Sequence, residues 1–147
     1  MQISDQNELA DSGLVALKIG DTATALVCFE RLVAEERVPF YCSCLAFCVA
    51  RERGDYKRAI SLCKEAVKQE PKNSQHFLFL GRIHLLAGER KDAVRIFRMG
   101  LRHERSVDIL RELERLGTRK QPVLPFLRRE NPVNRMLGKV MKKIGVR

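Results

Sequence analysis

Apolar residues along this chain recur at helical spacing, and the spacing itself repeats. Ala59 is followed by Cys63, Ala66 and Val67 at i+4, i+7 and i+8, which is one face of an α-helix. The same face returns 34 residues away on either side. Ala25, Ala59 and Ala93 share a column, followed by Leu26, Ile60 and Val94, by Phe29, Cys63 and Phe97, and by Val33, Val67 and Leu101. Upstream, Gly13, Phe47 and Gly81 align, as do Ala16, Ala50 and His84. Gly20, Gly54 and Gly88 mark the same point in each period and precede Asp21, Asp55 and Glu89. Many columns at one fixed period predict stacked structural repeats.

Each period reads as two helices joined by a tight turn. In the second, a first helix from about Phe40 to Arg53 ends at Gly54, a residue that accepts left-handed backbone without penalty. Asp55 stands at the N-cap of the next helix, Ala59 is small where the two helices cross, and Pro71 ends the pair. The periods span about 6–39, 40–73 and 74–107. Three such units leave an apolar end that needs covering. Ile109, Leu110, Leu113 and Leu116 supply a capping helix between Val107 and Gly117.

These residues resemble the tetratricopeptide-repeat (TPR) family. Gly54-Asp55-Tyr56-Lys57-Arg58-Ala59-Ile60 matches that motif's central turn and second-helix start, and Leu80-Gly81 matches its Leu-Gly pair. The motif's Trp position is empty. Its Tyr position holds Ala16, Ala50 and His84, and Ser12 stands where repeat 1 needs a large residue. The resemblance implies an all-α fold, a TPR-like solenoid of antiparallel helix pairs. It also implies a protein-binding groove lined by the first helix of each pair. Carried over by position, the inward residues are Asn7, Ala10, Leu14 and Leu17, then Tyr41, Cys44, Cys48 and Arg51, then Gln75, Leu78, Arg82 and Leu85. Some family members grip a C-terminal carboxylate with a Lys/Asn set, which is absent here. The expected partner is therefore an apolar or amphipathic segment of a protein that carries acidic residues.

Beyond Gly117 the pattern changes. Residues 118–130 contain Pro122 and Pro125 and read as a linker whose apolar middle is expected to pack on the repeats, with a partner as the alternative. Residues 131–147 predict a basic amphipathic tail helix, with Asn131 as N-cap and Pro132 in the first turn. Val133, Met136, Leu137, Val140, Met141 and Ile144 form its apolar stripe, and Lys139, Lys142 and Lys143 lie on other faces. Such a helix can fold onto its own domain, enter a partner's groove, or lie on an anionic membrane surface.

Charge sharpens this division. Residues 1–39 carry three basic and seven acidic side chains, a net of −4, and residues 108–147 carry eleven and four, a net of +7. A basic end suits an anionic partner. Nucleic acid is the weaker choice, because Phe126 is the tail's one aromatic and no stacking platform exists. Five cysteines inside helical patterns predict free thiols in a reducing, cytoplasmic setting. The N-terminal stretch has no signal-peptide pattern, and the longest apolar run, near Leu45 to Ala50, is too short to span a bilayer.

Candidate chemistry is sparse. There is no Gly-rich phosphate loop and no His-Glu-x-x-His motif. Cys44 and Cys48, with Cys42 nearby, have a spacing that could hold a soft metal, but buried small hydrophobes produce the same pattern. His84, on the core-facing Tyr position, reads as a packed, hydrogen-bonded side chain. No catalytic constellation can be placed and nothing calls for a cofactor. The expectation is a non-catalytic adaptor, with membrane attachment through the tail as the alternative.

Overall fold

The computed structural model describes residues 2–117, 132–143 and 145. The linker, Asn131 and Ile144 lie outside the described residues. The helices are α1 (Ile3–Ile19), α2 (Thr22–Glu35), α3 (Pro39–Arg53), α4 (Tyr56–Gln69), α5 (Ser74–Leu86), α6 (Arg90–His103), α7 (Val107–Arg115) and α8 (Pro132–Lys143). The first seven form one compact unit, Met1–Leu116, and α8 belongs to a second, Gly117–Arg147.

The turns are built as the sequence requires. Gly20, Gly54 and Gly88 have φ of 83°, 64° and 79°, so the chain reverses at each without straining a side chain. Asp21 then accepts a hydrogen bond from the Thr24 N–H at 3.1 Å, and Asp55 one from the Arg58 N–H at 3.2 Å. The third turn departs from this scheme. Glu89 occupies the N-cap of α6 but makes no side-chain cap; its longer carboxylate reaches the His84 ring instead.

Packing follows from the repeated apolar columns. Helices pair as α1 with α2, α3 with α4 and α5 with α6, while α2 packs on α3, α4 on α5, and α7 on α6. Ala25, Ala59, Ala93, Phe29, Cys63 and Phe97 are all fully enclosed. The columns that align best in the sequence are thus the centre of the core. Helix α3 also packs along α5, whereas among the described residues α1 makes no comparable contact with α3. Embedded between α2, α4 and α5, α3 buries five residues in succession, Cys42 to Ala46, as a helix surrounded by neighbours should. Ile109 and Leu113 of α7 close the far end of this core. Leu110, expected in the same stripe, is 38% exposed and lies off the packed face.

Candidate functional site

The first helices of the three pairs, α1, α3 and α5, carry the positions expected to face a partner. The structure sets them at different depths. Asn7, Leu14 and Arg51 are exposed, and Leu17, Tyr41, Gln75, Arg82 and Leu85 are half-buried. Ala10, Cys44, Cys48 and Leu78 belong to the buried core cluster. Tyr41 sits among aromatics, its ring centroid 6.0 Å from that of Phe29 and 6.2 Å from that of Phe40. Phe40 and Phe47 in turn flank Phe79 at 6.4 and 5.9 Å. These rings join the first helices of repeats 2 and 3 through large apolar contacts.

The two arginines expected in this region differ. Arg51 has no ion-pair partner among the described residues and stands in solvent. Arg82 is taken up internally: its Nε lies 2.7 Å from Oε1 of Glu112, a buried carboxylate on α7. Sequence reasoning missed Glu112, because a glutamate amid the charges of α7 shows no sign of burial until α7 is docked.

The buried polar groups were also illegible from spacing. Ser43, His76 and Glu70 form a chain in which Ser43 Oγ is 2.8 Å from His76 Nδ1 and His76 Nε2 is 2.7 Å from Glu70 Oε2. Because the carboxylate can only accept, Nε2 carries the proton toward it and Nδ1 accepts from the Ser43 hydroxyl. The order resembles a hydrolytic triad. Ser43 and His76 are nevertheless fully enclosed, so no substrate carbonyl can reach the hydroxyl and the trio is a structural tie joining α3, α5 and the turn that follows α4.

The five thiols are free and buried. Burial pushes the Cys48 and Cys63 thiols up to about 12 and raises that of Cys44 as well. Such groups stay protonated and are poor nucleophiles and poor metal ligands. Among the described residues, one group has metal-ligand proximity: His84, Glu89 and Asp92, whose donor atoms lie within 4.8 Å of one another. Its carboxylates sit at the positive end of α6, and Asp92 is already paired with Arg95 at 2.8 Å. It is therefore explained as a histidine–carboxylate pair at a helix start.

In the second unit, α8 forms from Pro132 onward. Val133, Met136 and Val140 are exposed, Leu137 is half-buried, and Lys139, Lys142 and Lys143 are exposed. The Met141 side chain and Ile144 lie outside the described residues. Among the described residues no helix is long and apolar enough to cross a membrane.

Comparison with known proteins agrees with this architecture. Residues 50–111 match the family model described as Tetratricopeptide repeat. No curated protein sequence matches the chain. Among solved structures, the chain is similar to the Sgt2 TPR domain from Aspergillus fumigatus, with a TM-score of 0.62 at 20% identity over 77% of each chain. It is also similar to the first TPR of Spaghetti (RPAP3) bound to the HSP90 peptide SRMEEVD, with a TM-score of 0.60 at 17% identity over 80% of this chain and 94% of that one. The second TPR domain of human RPAP3, in complex with the HSP70 peptide SGPTIEEVD, gives 0.57 at 20% identity over 76% and 93%. At these identities the likeness establishes the fold.

Proposed function

We propose, from the premise that the chain is a tetratricopeptide-repeat protein, that it is a non-catalytic adaptor holding a segment of a partner protein along α1, α3 and α5. The observation that carries this reading is the stacked-pair architecture, shared with domains whose structures contain acidic peptides. The reachable side chains are Asn7, Leu14, Tyr41, Arg51, Gln75 and Leu85, which combine apolar surface with one uncommitted cation. Arg82 has its charge satisfied by Glu112 and orients the region instead of attracting a ligand. Cys44, Cys48 and Leu78 form the floor beneath it. The Lys/Asn carboxylate grip is absent, so the acidic groups recognised here belong to side chains within an amphipathic segment.

The test is fluorescence anisotropy with amphipathic peptides carrying glutamate on the polar face, against lysine-for-glutamate controls. Arg51→Glu and Leu14→Lys each weaken binding about tenfold or more, a change of about 1.4 kcal/mol, and leave the helical circular dichroism intact. Unchanged affinity in both variants would show that this surface is not the site.

A second reading has its own support. Met136 and Val140 of α8 are exposed beside lysines, the composition of a helix that lies on an anionic bilayer. Sedimentation with phosphatidylserine vesicles then falls when Lys139, Lys142 and Lys143 are all changed to glutamine, and with added salt. Equal sedimentation by this variant removes the membrane reading.

A further inference from the structure

We propose that the second helices of the pairs form a separate docking face, which takes an acidic peptide segment bearing one apolar anchor residue.

Lys57, Lys64 and Lys68 lie on the outer side of α4, all exposed. Thirty-four residues later, Lys91, Arg98 and Arg102 occupy the same register of α6, with Arg95 at the position of Ser61. The spacings i, i+4, i+7 and i+11 put each set on one side of its helix. Repeat 1 has Ala23, Val27, Glu30 and Ala34 in these columns, so the cationic set begins at repeat 2. Core columns recur because helix crossing demands it. These positions face solvent, and packing places no such demand on them.

The ladder is also uncompensated. Arg95 is paired with Asp92, but among the described residues the other six cations have no ion-pair partner. Lys64 with Lys68, Lys91 with Arg95, and Arg98 with Arg102 are like charges at i,i+4, which destabilise a helix. An anion laid along the helix relieves that repulsion.

A cleft of about 510 Å³ opens at the head of the α4 set, between α2 and α4. Its apolar wall is Val33, Leu45 and Leu62, and Lys57, Arg58 and Ser61 stand at its edge. The cleft's two carboxylates are already engaged: Asp55 caps α4, and Glu65 is 2.9 Å from Arg37. An entering ligand therefore meets apolar surface and net positive charge. From Lys57 to Lys68 the helix runs about 16 Å, the length of roughly five extended residues. A short peptide can seat an apolar side chain in the cleft and lay carboxylates along Lys64 and Lys68. A nucleic-acid strand would leave the apolar wall unused and finds no aromatic ring to stack on among the ladder residues.

The test uses the full chain and a fluorescein-labelled peptide with one leucine followed by a run of glutamates, at low salt. Two controls accompany it, one with glycine for leucine and one with glutamine for glutamate. A single-stranded oligonucleotide of equal charge is the third probe. The leucine–glutamate peptide should bind best and lose at least tenfold in affinity in Lys64→Glu/Lys68→Glu. It should lose a similar factor in Ser61→Glu, which blocks the cleft edge, and be unaffected by Arg51→Glu. Binding that survives both α4 variants lies away from the cleft and its lysines, and binding lost in Arg51→Glu places it on α1, α3 and α5; either overturns the proposal. So does an oligonucleotide or leucine-free peptide that binds as tightly as the anchored one, or no binding of the anchored peptide at all.

Discussion

Replacing Gly81 with alanine is expected to lower the melting temperature of the repeat unit by roughly 10 °C, the equivalent of about 2–3 kcal/mol. In the middle of a helix this change ordinarily gains about 1 kcal/mol, because alanine is the better helix former. Here a Cβ at position 81 would lie 2.5 Å from Cδ1 and 2.7 Å from Cζ of Phe97, and closer still to Cε1. Phe97 is fully enclosed and cannot swing away. Gly13 occupies the same column of repeat 1, where an added Cβ would meet Phe29 and Cys28 at 3.0 to 3.2 Å. There a shift of a few tenths of an ångström suffices, and Gly13→Ala should stay within about 1 kcal/mol of the parent. Thermal melts of the two variants separate close helix approach from helix propensity, since propensity alone would raise both. Phe97→Leu in the Gly81→Ala background should recover part of the loss, because the clash belongs to the ring and the two changes are not additive. A Gly81→Ala protein that melts at or above the parent temperature would mean that α5 and α6 cross less tightly than described.

The same pair shows why much of this fold was legible in the sequence. Repeats 1 and 3 combine a glycine in α1 or α5 with a phenylalanine in α2 or α6, and repeat 2 reverses the volumes with Phe47 and Cys63. Ala25, Ala59 and Ala93 mark the crossings, and the Gly-Asp turns mark the helix ends. All of these are local signals that any stack of such pairs must carry. Depth along the candidate site was not legible. Register places Cys44, Cys48 and Leu14 in equivalent roles, but α3 is enclosed by α2, α4 and α5 whereas α1 is packed chiefly on α2. The cysteines are therefore buried and Leu14 is exposed. Charge assignments depended on neighbours that only the fold brings into contact. Arg82 looks free until α7 brings Glu112 to it, and Glu89 looks like a cap until His84 stands beside it.

The second large effect is expected at the Ser43–His76–Glu70 chain, which no sequence motif announced. Ser43→Ala should cost about 2 kcal/mol by urea denaturation, because it leaves a fully enclosed ring nitrogen without a donor. His76→Ala should cost more, because it takes away the acceptor of the Ser43 O–H and opens a void between α3 and α5. Combining Ser43→Ala with His76→Phe removes both polar partners and keeps the ring's bulk. The double variant should then be more stable than the summed losses of Ser43→Ala and His76→Phe made singly predict, as it must be if the cost is desolvation of an unpaired group. Strict additivity would show that the two side chains do not depend on each other. Glu70 links this chain to pH. Its carboxyl is held below the usual glutamate range, first by the hydrogen bond from Asn73 and then by that from His76. A group with a depressed folded pKa contributes stability that is present above its unfolded value, near 4.5, and lost as pH falls through its lower folded value. The side chain is 44% exposed, so the step is shallow. Urea midpoints measured from pH 6 down to pH 3 should fall for the parent and fall less for Glu70→Gln. An acid limb unchanged by that substitution would mean that Glu70 contributes nothing through its charge, and that the tie rests on the buried Ser43–His76 bond alone.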